Sequence, residues 1–194
     1  MRQRPDIQVE SPPAWLEAVL ADFDSFLIDH ADGERKASAF ALGLVAKYPM
    51  LTKIIPPLID ISVEELEHFQ QVYTLLHARG LQLPIKIVKD RYILELNRLC
   101  RADRMERLMD RLIIGAVAEA RGLERFKLVA EALEDPELKR FYKRLWASEA
   151  KHSGAFLDLA AAYFDRDEVW TRAQWFMERE AEILLNLPIR PALH

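Results

Sequence analysis

Two glutamate–histidine pairs of identical spacing are the residues of this chain best suited to chemistry. They read Glu65-x-x-His68 and Glu149-x-x-His152. A lone glutamate precedes each pair at nearly the same distance: Glu34 lies 31 residues before the first pair, and Glu119 lies 30 residues before the second. The chain therefore contains the same pattern of acidic and imidazole groups twice. One glutamate–histidine pair could arise by chance, but two pairs with matching upstream glutamates are much less expected.

This repeated pattern predicts a metal site with two ions. Residues three apart on a helix emerge on one face, so a glutamate and a histidine at that spacing can share a metal. Four helices would then present four carboxylates and two imidazoles, which is the ligand set of carboxylate-bridged di-iron or di-manganese bundles. Oxygen and imidazole donors suit iron or manganese, and no thiolate joins them. The predicted ligands are Glu34, Glu65, His68, Glu119, Glu149 and His152.

Some of these positions have alternative interpretations. Ser62 with Glu65 forms a capping box, so Glu65 could instead cap a helix that begins there. Glu124 is an alternative to Glu119, although its spacing fits the repeat less well. His30 lies one turn before Glu34 and could support it, but a helix-surface position is the preferred interpretation. His77 and His194 are also predicted on the surface.

Along the chain, hydrophobic periodicity predicts helices throughout. They are expected at about 13–20, 22–48, from Pro57 or Ser62 to Gly80, 84–99, 104–133, 136–164 and 167–186. A long connection between the second and third bundle helices is typical of ferritin-like bundles, and residues 80–102 provide it. The predicted fold class is all-α: a ferritin-like four-helix bundle with additional flanking helices.

Composition supports a globular protein. The 194 residues are 51% hydrophobic with only six glycines, so we expect one domain over 1–194, with 1–11 polar and loosely held. Cys100 is the only cysteine, which excludes an internal disulfide and fits a reducing compartment. The N-terminus lacks an apolar stretch of signal-peptide length, and no run approaches the roughly 20 apolar residues of a membrane span. These features together predict a cytoplasmic protein.

Basic residues form a second pattern. From residue 86 to residue 111 there are eight lysines and arginines against five acids, within a chain of net charge −4. Lys139, Arg140, Lys143 and Arg144 form a further cluster. Such clusters could contact a phosphate backbone, or they could be an ordinary salt-bridged helix surface, and the sequence favours neither. The candidate phosphate contacts are Arg98, Arg101, Arg104 and Lys143.

Around these residues the chain resembles the tRNA hydroxylases that act on 2-methylthio-N6-isopentenyladenosine. The matching stretches are HADGERKASAFALGLVAKYP (30–49), EELEHFQQVYTLLHARG (64–80), EARGLERFKLVAEAL (119–133) and FYKRLWASEAKHSGAF (141–156). The Glu-x-x-His motifs are shared by all ferritin-like di-iron proteins. The surrounding residues, especially GERKA, YP and SEAKH, are what indicate this family.

The resemblance implies a non-haem di-iron monooxygenase. Such an enzyme would hold two iron ions at the six predicted ligands and use O2 with electrons from a reductase or ferredoxin. It would hydroxylate the isopentenyl side chain of adenosine 37, beside the tRNA anticodon. Two other functions stay open: a quinone-ring hydroxylase, which needs an apolar membrane-facing surface, and a ferritin-like iron-storage or peroxide-scavenging protein, which needs a cage of many subunits.

Overall fold

The computed structural model describes residues 5–85, 89–152 and 154–194, without the side chains of residues 150–152. These residues form eight helices and no strand. The helices are α1 Pro13–Ala21, α2 Phe23–Lys47, α3 Ile55–Ala78, α4 Arg91–Arg98, α5 Arg104–Ala132, α6 Pro136–His152, α7 Ala155–Ala161 and α8 Arg166–Asn186. Within this part of the chain, no helix combines the length and apolarity that crossing a membrane requires.

The chain divides into two compact units, each with its own packed helices. The α2–α3 unit comprises Glu17–Val88 and Arg190–Leu193, and the α5 unit comprises Met1–Leu16, Lys89–Ile189 and His194. In the first unit, α2 packs along α3. In the second, the long helix α5 contacts α4, α6, α7 and α8. The two copies of the glutamate–histidine pattern therefore lie in separate units.

Helix starts follow local capping chemistry. Asp22, Asp90, Asp103 and Asp165 accept backbone N–H bonds at the starts of α2, α4, α5 and α8, which satisfies donors that a helix leaves open. Helix α3 instead begins with prolines in its first turn, where a missing N–H costs nothing. Both prolines are thus part of the helix, and α3 begins before the serine that the capping box would have made its first residue.

The helix predicted over residues 136–164 is divided in two: α6 ends at His152, and α7 starts at Ala155. Gly154 precedes α7, and glycine is the weakest helix former after proline. Helix α7 then approaches α5 closely. A Cβ added to Gly115 of α5 would lie only 3.0 Å from the ring of Phe156. The single helix predicted over 136–164 is therefore wrong, and its second part packs through an aromatic ring on a glycine.

The N-terminal segment is less loose than predicted. Ser11 is buried, its backbone N–H donates to Glu124 Oε1 at 2.8 Å, and its hydroxyl donates to Glu124 Oε2 at 2.8 Å. The carbonyl of Val9 accepts a bond of 2.7 Å from Arg121 Nη2. Residues 9–11 are thus held on α5 by partly buried hydrogen bonds rather than left in solvent.

Helix α3 ends where the sequence places its stop. Gly80 has φ 72° and follows the last helical turn, and the Leu81 N–H donates back to Leu76 O at 3.1 Å. This bond, with that from Gly80 N to His77 O at 3.0 Å, is the Schellman arrangement that requires a left-handed residue. Glycine adopts that conformation without the steric cost that a Cβ imposes.

We therefore expect Gly80→Ala to lower the free energy of unfolding by about 1 kcal/mol, because alanine strains the left-handed position. Gly43 in α2 is the matched control, since a Cβ added there meets nothing within 4 Å. Gly43→Ala should raise stability by roughly 0.5–1 kcal/mol through better helix propensity. Urea unfolding followed by circular dichroism measures both, and equal effects of the two substitutions would contradict this account of the α3 terminus.

Candidate metal centre

The α2–α3 unit gathers three of the predicted ligands. Glu34 on α2 and both Glu65 and His68 on α3 are buried, with 4%, 2% and 5% of their surface exposed. One ligand atom from each lies within 4.8 Å of the others. His68 Nδ1 lies 3.7 Å from Glu65 Oε2, as the i, i+3 spacing on one helix face predicts. The first half of the repeated pattern thus forms one cluster.

The chemistry of this cluster fits a metal ion. Two carboxylates and an imidazole are the donors that iron and manganese prefer. Their surroundings on α3 are apolar, since Leu58, Ile61 and Val72 are also buried. Burying carboxylates among apolar side chains costs free energy unless a positive charge or hydrogen bonds compensate them. A divalent cation held by Glu34, Glu65 and His68 would supply that charge.

His30 belongs to this site, which corrects the preferred interpretation of it as a surface residue. Its side chain is fully buried, and its Nε2 lies 2.7 Å from Glu34 Oε1. Phe26 lies one turn earlier on the same buried face of α2, with ring centroids 5.9 Å apart. His30 therefore fixes the direction of the Glu34 carboxylate. The i, i+4 series of positions 26, 30 and 34 was the signal that could have identified it.

Two serines set α2 against α3 beside the cluster. Ser38 Oγ donates to the Ser62 carbonyl at 2.7 Å, and Ser62 Oγ donates to the Ser38 carbonyl at 3.0 Å. Both side chains are buried, so each hydroxyl satisfies a backbone group of the other helix. Ser62 is thus inside α3 and is not its N-cap, which removes the capping role considered for Glu65.

The other predicted ligands lie in the α5 unit and are described within it. Glu149 on α6 is buried, with 3% of its surface exposed, and Glu119 on α5 is half-buried. The backbone of His152 forms the last residue of α6. The side chain of His152 lies outside the described part of the chain, so its predicted role as a ligand stays a prediction.

Glu124 takes part in a different structure and is not a metal ligand candidate. Its carboxylate accepts from Ser11 and from Arg121 Nη1, the latter at 3.1 Å. Arg121 also donates from Nε and Nη2 to Glu180 at 2.8 and 3.0 Å, and both side chains are fully buried. This bidentate pair joins α5 to α8.

Charges in this buried network shift the pKa of neighbouring groups. Burial alone lowers the pKa of Arg121, but the hydrogen bond and charge of Glu180 outweigh it and raise the pKa above its ordinary value. Burial, followed by the positive charge of Arg121, lowers the pKa of Arg125 to about 10. Burial and then the charge of Glu180 raise the pKa of Tyr92 well above its usual range, and its hydroxyl donates to Glu180 at 3.1 Å. At neutral pH both arginines stay charged and the tyrosine stays neutral.

The candidate phosphate contacts differ in how they are paired. Arg101 donates to Asp110 at 2.8 Å through its backbone N–H and at 2.9 Å through Nη2, and Arg172 binds the same carboxylate. Burial raises the pKa of Asp110, but the hydrogen bonds from both arginines outweigh it and lower the pKa overall. Arg98 is largely exposed and pairs with Glu95 at 2.5 Å. Arg104 and Lys143 are exposed. Arg101 is thus part of an internal ion-pair network.

Long helices that bring buried glutamates and a histidine together are typical of the class of ferritin-like carboxylate proteins. A solved structure of this fold, described as Protein 43 with aldehyde deformylating oxygenase activity from Synechococcus, is similar with a TM-score of 0.90 and 32% identity. The match covers 97% of this chain and 94% of the Synechococcus chain. The predicted all-α ferritin-like fold class is confirmed.

The chain belongs to the MiaE family, described as tRNA-(MS[2]IO[6]A)-hydroxylase, whose sequence model matches residues 4–194. It is 40% identical to the tRNA 2-(methylsulfanyl)-N(6)-isopentenyladenosine(37) hydroxylase of Pseudomonas putida, over 90% of this chain and 84% of that protein. It is 35% identical to the hydroxylase of the same name from Salmonella typhimurium, over 71% of this chain and half of that protein. The resemblance identified from the sequence is confirmed.

A substitution at His30 tests its role in orienting Glu34. We expect His30→Phe to keep the helical content of the parent and to weaken Fe(II) binding about tenfold, because the Glu34 carboxylate loses its fixed direction. His30→Gln, which can still donate to Glu34, should restore most of the affinity. Anaerobic titration with Fe(II) measures binding.

His77→Phe is the matched control, because His77 is an exposed histidine on α3. It should bind Fe(II) as the parent does. Equal affinities for His30→Phe and His77→Phe would show that the buried contact with Glu34 does not orient a ligand.

Proposed function

We propose that this protein is a non-haem di-iron monooxygenase that hydroxylates the isopentenyl side chain of 2-methylthio-N6-isopentenyladenosine at position 37 of tRNA. Family membership over residues 4–194 and the identity with the Pseudomonas putida hydroxylase support the reaction and the substrate. The observation that carries the proposal is the buried cluster of Glu34, Glu65 and His68 in a chain of this family.

The proposed ligand set extends this cluster by the second copy of the sequence pattern. Two irons would be held by Glu34, Glu65, His68, Glu119, Glu149 and His152, with residues 1–194 acting as one ferritin-like domain. Four carboxylates supply about four negative charges, enough to neutralise two Fe(II) ions. When bound, the iron pair supplies the activation of O2 that hydroxylation of an unactivated C–H bond requires.

The side chains of the protein bind, orient and shield. His30 holds one oxygen of Glu34, so the carboxylate has a defined direction before any metal binds. Ser38 and Ser62 fix the spacing of the two helices that carry the cluster. The burial of Glu65 and His68 excludes bulk water from these donors, which strengthens the electrostatic interactions of a bound ion and protects it from side reactions.

The substrate adenosine lies in a loop, where bases are already partly unstacked. Extruding such a base costs less than extruding one from a duplex, so its side chain can enter a buried site. Phosphates beside it would contact Arg98, Arg104 and Lys143, which are exposed. Arg101, whose guanidinium binds Asp110, is left out of this set. Electrons would come from a reductase or ferredoxin in the cytoplasm, where tRNA is modified.

Metal dependence tests the ligand assignment. Added Fe(II) should raise the melting temperature of the parent under low oxygen, because a ligand that binds only the folded state stabilises that state. At a ligand concentration one hundred times Kd, the free energy of unfolding increases by about 2.7 kcal/mol. Glu65→Gln should lose this shift and should form no hydroxylated adenosine, while tRNA binding persists. The assay starts from tRNA that lacks the hydroxylated base and uses dithionite as reductant. After the reaction, mass spectrometry of the tRNA nucleosides measures the hydroxylated adenosine.

Glu67→Gln is the matched control, since Glu67 is an exposed glutamate two residues away on α3. It should bind iron and hydroxylate tRNA as the parent does. Hydroxylation by Glu65→Gln at the rate of Glu67→Gln would remove Glu65 from the site.

Salt dependence tests the tRNA-binding surface. Arg104→Glu combined with Lys143→Glu should weaken tRNA binding and lower the slope of log affinity against log salt, by roughly 0.7–0.9 for each phosphate that is no longer neutralised. Iron binding should not change. Lys127→Glu, at an exposed lysine of α5 outside the set, is the charge-matched control. If the double variant and the control bind tRNA alike at every salt concentration, the RNA-binding surface lies elsewhere.

The structural neighbour from Synechococcus favours a second candidate function, oxygenation of an aldehyde, because its described activity is aldehyde deformylation and it shares the fold over 97% of this chain. Iron-loaded, reduced protein can be offered tRNA or a panel of aldehydes in separate assays. Product from tRNA alone supports the hydroxylase, and product from an aldehyde alone supports the second candidate. A quinone hydroxylase or an iron-storage protein would form neither product.

A further inference from the structure

Helix α3 is apolar on its outer face as well as on the face that carries the ligands. Ile59, Val63, Leu66 and Tyr73 are exposed by 43%, 50%, 53% and 41%. They recur every three or four residues, with Gln70 filling the one missing position of the series. That spacing is typical of the contact face between two paired helices. A row of exposed apolar side chains of this kind indicates an interaction surface. We call these five residues the outer stripe of α3.

The border of the outer stripe is acidic. From Ile54 to Ala78 the sequence contains no lysine or arginine. Asp60 and Glu67 are exposed beside the stripe, and Glu64 is half-exposed next to them. Negative charge at this face repels the phosphates of RNA and the headgroups of anionic membranes. The surface therefore suits a protein partner with an apolar patch inside a basic rim.

A second copy of this chain would fit the outer stripe poorly. Antiparallel pairing centred on Leu66 would place Ile59 of one copy on Tyr73 of the other, which is favourable. The same pairing would bring Glu67 of each copy close to its counterpart, and like charges at a helix interface are destabilising. The acidic border thus selects against self-association and in favour of a basic partner.

We propose that the outer stripe of α3, with its acidic border, is the docking surface of the protein that delivers electrons to the metal centre. This inference rests on the proposed function, which requires a reductant. Glu65 and His68 lie on the inner face of the same helix, and a helix with its side chains is about 10–12 Å across. A redox group docked on the outer stripe is therefore separated from these ligands by a single helix.

The electron balance of the reaction defines what the partner supplies. Each hydroxylation consumes one O2 and replaces a C–H bond with a C–OH bond, and the second oxygen atom leaves as water. Two electrons and two protons complete the balance, and the substrate does not provide them. The partner is accordingly a reduced electron-transfer protein with a basic docking face, which would be oxidised by two electrons per product.

Leu66→Gln tests the docking surface against a matched control, Leu42→Gln. Leu42 is an exposed leucine of α2 in the same unit, with 55% of its surface accessible. Each variant, checked for iron content and melting temperature, is assayed on tRNA with two electron supplies. One supply is NADPH with a soluble extract of cells lacking the hydroxylase, and the other is dithionite with methyl viologen.

We expect Leu66→Gln and the charge reversal Asp60→Lys with Glu67→Lys to lower extract-driven turnover about tenfold. Both should keep dithionite-driven turnover within about twofold of the parent. Leu42→Gln should behave as the parent with both supplies. The parent should also show less extract-driven turnover as salt increases, because a charged border steers the partner at low salt.

Several results would overturn this proposal. Extract-driven turnover by Leu66→Gln at the parent rate would do so, as would an extract that drives no turnover when dithionite does. A parent dimer in light scattering that Leu66→Gln converts to a monomer would assign the stripe to a second copy. Loss of phosphatidylserine-vesicle binding in Leu66→Gln would assign it to a membrane. Failure of the proposed function itself is distinguishable, because the parent would then form no product with dithionite.

Discussion

The cost of placing carboxylates inside an apolar helix pair is the constraint on which this structure depends. Glu34 and Glu65 approach each other within a buried cluster, where two carboxylates are removed from water and need compensating groups. A histidine beside each glutamate and a bound cation are the means by which such a site becomes stable. His30, His68 and the serine contacts between α2 and α3 are consistent with that requirement. Each one gives a buried polar group a polar neighbour in a place that bulk water does not reach.

Much of the fold follows from sequence because the helices carry strong local signals. Asp22, Asp103 and Gly80 end or begin their helices where the pattern predicts, since capping acts over a few residues. The boundary at Gly154 was missed, because glycine lowers helix propensity without forbidding a helix. The sequence left the start of α3 open between Pro57 and Ser62, because Ser62 is an equally good N-cap and helix-contact residue when its neighbours in space are unknown.

The proximity of Glu65 and His68 was predictable because they lie three residues apart on one helix, a spacing that the sequence displays directly. His30 and the Arg121–Glu180 pair were not, since their identity as buried groups depends on tertiary contacts. Arg121 and Glu180 are 59 residues apart and have no repeated spacing that could connect them. A buried ion pair of this kind stabilises only when both partners are present and fully hydrogen-bonded. Such pairs emerge from packing, and local patterns do not reveal them.

The reciprocal bonds of Ser38 and Ser62 have a consequence for sequence variation in the family. Each hydroxyl serves a carbonyl on the opposite helix, so replacing one serine removes a donor from a buried backbone group and opens space between the helices. A chain that changes one of these positions to alanine is under pressure to change the other to a small residue as well. Positions 38 and 62 should therefore vary together, so their covariation in related sequences would indicate how closely α2 and α3 pack.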